Sequence, residues 1–172
     1  MPVYLFTYHA YCSWMPDQRR GFVQKGQGIQ PRNERLASAY RKAAKAEPFE
    51  FDPPTQYRLI TEARAVCVGD GYRLHGAATE PSHLHILVSW LDETLPFPKV
   101  RGRIRNLLSL DLSKRAGVTG RPWFAAQASR KRVADKAHFH YLLSTYLPKH
   151  RGVQWYEGRG WANLPVGVEE AG

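Results

Sequence analysis

The chain has few cysteines and no long apolar run. Its 172 residues include only Cys12 and Cys67, which cannot form a C-x-x-C pair or a disulfide framework. We interpret both as reduced, semi-buried small hydrophobic residues. No apolar stretch approaches the roughly 18 residues of a membrane helix, and no basic segment followed by a long apolar run marks a signal peptide. We therefore expect a cytoplasmic protein with no membrane partner.

Several motifs that would define common enzyme classes are also missing. The sequence contains no glycine-rich phosphate-binding loop, no zinc-finger spacing and no Gly-x-Ser-x-Gly nucleophile motif. Acidic residues are scarce as well, with 15 Asp and Glu against 25 Lys and Arg, a formal net charge of +10 and a pI of about 9.9. The positive charges repel one another in the folded state, but they attract polyanions, of which nucleic acid is the commonest. A basic surface kept for solubility is the alternative interpretation.

The length suits one domain with one core, taken as residues 1–172. Residues 15–50 contain glycines, prolines and charges with little periodicity, and we interpret them as an inserted excursion with one short helix near 33–45. The segment 158–172 is weakly patterned and is expected to have little structure. No internal repeats are present.

Periodicity and turn residues predict a short series of elements outside that excursion. Asp52 can cap a helix whose first turn tolerates the two following prolines. In chain order the sequence predicts a strand at 3–14, this helix, strands at 72–78 and 83–90, a helix at 97–116, a strand at 121–126 and a helix at 135–147. The economical fold is α+β and ferredoxin-like (RRM-like), a four-stranded antiparallel sheet with helices packed on it.

His83 and His85 stand two residues apart in one predicted strand. Side chains at i and i+2 of a strand point to the same face, so the two imidazoles can ligate one ion while Leu84 enters the core. The spacing alone is weak evidence, because His138 and His140 repeat it on a predicted helix. The apolar run 86–88 strengthens it, since a buried strand is an unusual place for two ionisable groups without a task.

A metal site of this kind needs a third ligand, and a DNA-cutting site needs a nucleophile. His150 is our candidate ligand, because it follows Tyr146 by four residues and would share its helix face, with Pro148 between them. Tyr146 is our candidate nucleophile, and Tyr141 competes for that role. A free tyrosine has a pKa of about 10, so a divalent cation and Lys149 would favour its phenolate.

Basic and aromatic residues supply candidate contacts to DNA. Two clusters and one isolated lysine could bind phosphates: Arg101, Arg103 and Arg105 on one helix, Arg130, Lys131 and Arg132 before the last helix, and Lys149. Several tryptophans could stack unpaired bases, although most are expected in the core: Trp14, Trp90, Trp123 and Trp155.

The segment Pro81-Ser82-His83-Leu84-His85-Ile86-Leu87-Val88 resembles the histidine–hydrophobe–histidine (HUH) motif of the HUH endonucleases. The chain looks most like their small single-tyrosine transposases, including the REP-associated tyrosine transposases. The early strand that ends in Ser13-Trp14 and the distance from the histidines to Tyr146 are also similar. Tyr146-Leu147-Pro148-Lys149-His150 resembles the family's nucleophile helix, in which a polar metal ligand, often Gln, follows the tyrosine by four residues.

This resemblance implies a set of expectations for residues 3–155. They are a ferredoxin-like fold, a Mg²⁺ or Mn²⁺ ion, and cleavage of single-stranded DNA that leaves a 5′-phosphotyrosine link and a free 3′-OH. Relatives often recognise a DNA hairpin, and some act as homodimers that exchange the tyrosine helix. Two rivals stay open: an HUH rolling-circle replication initiator, and a non-catalytic nucleic-acid-binding module on the same fold.

Overall fold

The computed structural model describes residues 1–19, 21–24, 26–126 and 129–168. Its strands are β1 (Val3–His9), β2 (Phe22–Gln24), β3 (Gly28–Gln30), β4 (Arg73–Glu80), β5 (His83–Ser89), β6 (Ser129–Arg132), β7 (Gln154–Tyr156) and β8 (Gly160–Ala162). Its helices are α1 (Glu34–Lys42), α2 (Pro53–Gly69), α3 (Phe97–Ala116) and α4 (Lys136–Tyr141). A π-helical turn (Leu142–Tyr146) and a 3₁₀ turn (Leu147–Lys149) continue α4. Within the described ranges, no helix is both long and apolar enough to cross a membrane.

An antiparallel sheet of six strands forms the centre of the fold, in the order β6-β1-β5-β4-β7-β8. Four of these strands, β6-β1-β5-β4, follow the ferredoxin-like order, because α2 connects β1 to β4 and α3 connects β5 to β6. The predicted α+β class with helices packed on the sheet is therefore confirmed. The sheet has six strands rather than four, since the hairpin β7–β8 extends it beyond β4.

Local signals placed the long elements well. Helix α2 begins after Asp52, whose side chain accepts a hydrogen bond from the Thr55 amide at 2.9 Å, as a capping residue should. Helix α3 covers the predicted range 97–116, and α1 lies inside the predicted 33–45. The hairpin β2–β3 within the excursion was not predicted.

Three predicted segments need correction. Residues 121–126 do not form a strand and contribute one isolated bridge, from Phe124 to Ala10. The edge strand is β6 instead. Its four residues are polar or charged, as is common at sheet edges, so they show no apolar alternation that would predict a strand. Strand β1 ends at His9 rather than at residue 14. Part of the segment 158–172 is ordered, because β8 pairs with β7, whereas residues 169–172 lie outside the described ranges.

The two faces of the sheet have different covers. Alternation along β5 sends Leu84, Ile86 and Val88 to the large core beneath α2 and α3. The alternate residues His83, His85 and Leu87 point to the other face, which we call the histidine face. There Leu87 packs with Leu142 and Leu147 of the segment 136–149. The predicted arrangement, a helical segment lying over a strand of the sheet, is therefore present.

A buried glutamine fixes the chain where it leaves that segment. The side-chain oxygen of Gln56 accepts hydrogen bonds from the Thr79 hydroxyl at 2.9 Å and from the Val153 amide at 3.1 Å. The amide of Gly152 donates to the Thr79 carbonyl at 3.1 Å. A Cβ at position 152 would lie 2.3 Å from both the Thr79 carbonyl oxygen and the Gln56 side-chain oxygen. Only glycine lets the chain pass strand β4 this closely.

We predict that Gly152→Ala lowers the free energy of unfolding by about 1–3 kcal/mol, the usual cost of overpacking. Gly102→Ala is the matched control, because position 102 is inside α3 and has open space around its Cβ. It should raise stability by about 0.5–1 kcal/mol, since alanine favours helix. Urea unfolding followed by circular dichroism measures both. Equal effects of the two substitutions would contradict this packing.

Candidate metal centre and nucleophile

Three histidine side chains meet on the histidine face. One potential ligand nitrogen from each of His83, His85 and His150 lies within 4.8 Å of the others. The ring centroids are 4.6 Å apart for His83 and His85, 4.5 Å for His85 and His150, and 5.5 Å for His83 and His150. The structure thus brings together the three histidines that the sequence singled out as ligands.

Strand β5 supplies two of the rings, and the end of the 3₁₀ turn supplies the third. The expectation that Tyr146 and His150 share one face of an α-helix is wrong. Tyr146 ends a π-helical turn, Pro148 lies within the 3₁₀ turn, and His150 follows it with extended backbone dihedrals (φ −76°, ψ 139°). The two rings still meet, with centroids 5.3 Å apart. A π-turn of this kind is frequent at functional sites, since it shifts the side chains that follow it.

Hydroxyl groups orient the two strand histidines. Nδ1 of His85 lies 2.8 Å from the Thr7 hydroxyl, and Nδ1 of His83 lies 2.8 Å from the Ser82 hydroxyl. A hydroxyl can accept from Nδ1–H, which leaves the lone pair on Nε2. Partners of this kind fix the tautomer and ring orientation of metal-binding histidines.

A backbone carbonyl orients the third histidine. Nδ1 of His150 lies 3.0 Å from the Leu147 carbonyl oxygen, which can only accept, so Nδ1 carries the proton and Nε2 is left with its lone pair. Among the described residues no hydrogen bond to Nε2 of any of the three rings is found. All three Nε2 atoms can therefore serve as ligands when the Thr7 and Ser82 hydroxyls accept from Nδ1.

Burial keeps the strand imidazoles neutral. Burial, followed by the charges of the neighbouring His9 and His150, lowers the pKa of His83 to about 4. Burial, followed by the charge of His83, lowers the pKa of His85 far below its usual range. Neutral imidazole is the form that binds a metal ion. The donor atoms, their spacing and their protonation therefore fit a bound divalent ion.

Of the two candidate tyrosines, only Tyr146 adjoins the histidines. Its ring centroid lies 5.4 Å from that of His85 and 5.3 Å from that of His150. Tyr141 is 46% exposed and, within the described residues, makes no ring contact with them. Burial, and then Tyr141, raise the pKa of Tyr146, so its phenol is protonated at neutral pH without a cation nearby. No ion pair or hydrogen bond joins Lys149 to Tyr146 in the described part of the chain.

Sequence reasoning missed three residues of this site. Thr7 and His9 on β1 lie opposite His85 and His83 in the strand register, and Ser82 directly precedes His83. Alternation on β1 places Thr7 and His9 on one face, which is the signal that would have found them. They were missed because a strand pattern does not say which strand lies next to it.

The predicted DNA-binding residues divide between the two faces. Helix α3 covers the face opposite the histidines, so its three arginines lie away from the triad. Arg103 forms an ion pair with Asp70 at 3.0 Å, Arg105 donates to the Ala126 carbonyl at 3.0 Å, and Arg101 lies 6.0 Å from the centre of the Phe97 ring. These contacts keep the three arginines on the α3 side of the sheet, away from the three histidines and Tyr146.

Strand β6 alternates between the faces. Arg130 pairs in register with Phe6 and Arg132 with Tyr4, on the α3 side, whereas Lys131 pairs with Leu5 on the histidine face. Lys131 lines a cleft of about 210 Å³ together with Thr7, Ser129, Leu142 and both tyrosines. This cleft lies next to the triad, because Thr7 lines it. It places the positive charge of Lys131 near Tyr146.

No protein-family model and no curated protein matches the sequence. Among solved structures, the chain is similar to a candidate transposase from Deinococcus radiodurans, with a TM-score of 0.49, 9% identity, and coverage of 87% of this chain and 92% of that one. It is also similar to a REP-associated tyrosine transposase solved with a REP hairpin, with a TM-score of 0.43, 10% identity and coverage of 81% of this chain; it spans 61% of that protein. At TM-scores below 0.5 these likenesses say nothing about chemistry, which has to follow from the side chains themselves.

We predict that Thr7→Val lowers the affinity for Mn²⁺ about tenfold, because the His85 ring loses the partner of its Nδ1. Valine keeps the shape of threonine, and Thr7→Ser keeps the hydroxyl and should restore binding. Isothermal titration calorimetry measures the three affinities. If Thr7→Val and wild type bind Mn²⁺ equally, Thr7 does not orient a ligand.

Removal of a ligand should have a larger effect than removal of its partner. We predict that Mn²⁺ raises the melting temperature of the wild-type protein and does not raise that of His85→Ala, because mass action stabilises only a state that binds the ion. His140→Ala removes an exposed histidine of α4 and should melt with the same Mn²⁺ shift as wild type. A shift in His85→Ala as large as in wild type would place the ion elsewhere.

Proposed function

We propose that this protein is a metal-dependent enzyme that nicks and rejoins single-stranded DNA, with Tyr146 as the nucleophile and a 5′-phosphotyrosine intermediate, as in DNA transposition. The observation that carries the proposal is the meeting of three imidazoles, with one possible ligand nitrogen of each within 4.8 Å of the others, and one tyrosine whose ring centroid lies 5.4 Å and 5.3 Å from those of two of them. Burial keeps His83 and His85 neutral, and neutral imidazole is the form that holds a metal ion. Tyr146 is the tyrosine that contacts this cluster, and its oxygen is the candidate nucleophile.

His83, His85 and His150 would hold the ion through their Nε2 atoms. Of the two ions that the HUH resemblance implies, Mn²⁺ suits three imidazoles better, because Mg²⁺ prefers oxygen ligands. When bound, the ion supplies positive charge that favours the phenolate and polarises the scissile phosphate. The residues of the chain supply the positions: the Thr7 and Ser82 hydroxyls orient two rings, and the Leu147 carbonyl orients the third.

The bonds that form and break follow from the nucleophile. The Tyr146 oxygen attacks the phosphorus and forms the phosphotyrosine bond, the bond from phosphorus to the 3′ oxygen breaks, and the 3′ oxygen leaves as a 3′-OH after taking up the proton that the phenol gave up. The number of phosphodiester bonds stays the same, so a 3′-OH can attack the phosphotyrosine and rejoin a strand without a cofactor. Burial, which raises the Tyr146 pKa, keeps the nucleophile inactive until a cation is near.

The DNA strand would lie along the histidine face. Lys131 lines the cleft beside Tyr146, and Lys149 lies in the turn between Tyr146 and His150, so both can contact phosphates on either side of the cut. Arg130 and Arg132 point to the other side of the same edge strand and would serve DNA that passes around that edge. The α3 arginines are the least suited of the predicted contacts.

We predict that Tyr146→Phe abolishes the covalent protein–DNA adduct, because phenylalanine lacks the attacking oxygen. Tyr141→Phe is the matched control and should keep adduct formation within a few-fold of wild type. The measurement is a denaturing gel of protein incubated with labelled single-stranded and hairpin oligonucleotides and Mn²⁺. An adduct with Tyr146→Phe but not with Tyr141→Phe would exchange the two roles. Salt-dependent binding without any wild-type adduct would favour a non-catalytic binding module.

Charge on the histidine face should matter for DNA affinity more than charge on α3. We predict that Lys131→Gln weakens binding of a single-stranded oligonucleotide and reduces the magnitude of the salt dependence, d log K/d log [salt], by about 0.7, the value for one phosphate contact on single-stranded DNA. Arg103→Gln is the control and should leave that slope unchanged, because Arg103 is paired with Asp70 away from the site. Fluorescence anisotropy at several salt concentrations measures both. A loss of slope with Arg103→Gln alone would place the DNA on the α3 face.

A further inference from the structure

Trp14 differs in exposure from the other four tryptophans. Trp90 and Trp123 are buried in the core, and Trp155 and Trp161 pack against it. Trp14 leaves 53% of its surface exposed. A single exposed hydrophobic residue needs no explanation by itself, so the case for Trp14 depends on how it is held and on what lies beside it.

The turn that carries Trp14 is held by several hydrogen bonds and is strained at Cys12. The Ser13 amide donates to the Ala10 carbonyl at 3.1 Å, and Cys12 adopts a positive φ of 59°, a conformation that costs a non-glycine residue free energy. The Ser13 hydroxyl donates to the Ser82 carbonyl at 3.0 Å, and the Gln18 side chain donates to the Ser13 carbonyl at 3.0 Å. Strain of this kind persists only where the surrounding contacts hold it, and it is common at functional sites.

The same turn is tied to the histidine triad. The Ser82 carbonyl accepts from Ser13 and from the Ala10 amide at 2.8 Å, and the Ser82 hydroxyl bonds Nδ1 of His83. A displacement of the turn that carries Trp14 would therefore shift Ser82 and, through it, the ring of His83, a predicted metal ligand.

One ring separates Trp14 from the triad. The His9 ring centroid lies 5.4 Å from that of Trp14 and 5.7 Å from that of His83. Nδ1 of His9 is buried and has no hydrogen-bond partner among the described residues. His9 thus fills the space between the triad and Trp14.

We infer that Trp14 is a stacking platform for one unpaired base of the DNA substrate, close along the strand to the phosphate that the triad would hold. The inference rests on the proposed function for the identity of its ligand. An exposed indole offers every base a flat apolar surface, and stacking of this kind does not depend on sequence. Trp14 would therefore fix how far the strand extends past the scissile phosphate, and Tyr146 would meet one phosphate rather than its neighbour.

The test compares two single-stranded probes that have the same phosphates. One is fluorescein-labelled dT12, and the other is a 12-mer of deoxyribose-phosphate spacers without bases. We expect Trp14→Ala to weaken dT12 binding about tenfold, a typical value for loss of one stacked base, and to leave spacer binding within about twofold of wild type. Trp14→Phe keeps an aromatic ring and should keep most of the dT12 affinity. Anisotropy titrations with and without Mn²⁺ measure all of these affinities.

Intrinsic fluorescence gives a second measurement on the same proteins. Binding of dT12 should quench wild-type tryptophan emission, and most of that quenching should be missing in Trp14→Phe, because the other tryptophans are in or against the core. An unchanged dT12 affinity in Trp14→Ala, or an equal loss on both probes, would overturn the platform. The covalent adduct reports on Tyr146 separately. If no adduct forms while Trp14 still discriminates dT12 from the spacer, the proposed chemistry fails and the platform stands.

Discussion

The close approach of the segment 136–149 to strand β4 is the contact on which the site depends. Gly76 makes it possible, because a Cβ there would lie 2.9 Å from a Leu143 methyl and 3.2 Å from a Leu147 methyl. With no side chain at 76, Leu143 and Leu147 rest on the sheet itself. This packing places the rings of Tyr146 and His150 next to that of His85. A side chain at position 76 would press against these leucine methyls, so both leucine side chains would have to move.

This packing also sets the chemistry of the groups that it brings together. Burial removes water from the strand imidazoles and keeps them neutral, while the same burial raises the Tyr146 pKa and keeps the phenol protonated. Neutral imidazoles that can bind a cation thus lie beside Tyr146, whose phenol would need a nearby cation to ionise at neutral pH. The large core under α2 and α3 is on the opposite face, so it stabilises the fold without taking space from the site.

Strong periodicity made much of this predictable, and its absence explains what was missed. The i, i+2 spacing of His83 and His85 and the apolar stripe of α3 were enough to place both elements. His150 was selected for its helical spacing from Tyr146, but the chain reaches the same place through a π-turn and a 3₁₀ turn that no spacing rule predicts. Strands β6, β7 and β8 are too short or too charged to show alternation. Thr7 acts through pairing across strands, which becomes visible only in the fold.

The most direct test of a three-histidine centre beside Tyr146 is a crystal of the wild-type protein soaked in Mn²⁺, with anomalous scattering data to locate the ion. We predict one strong anomalous peak within coordination distance of the Nε2 atoms of His83, His85 and His150, on the side of the rings that Tyr146 faces. A peak bound through Nδ1, a peak that leaves out His150, or no peak at these histidines at saturating Mn²⁺ would contradict it.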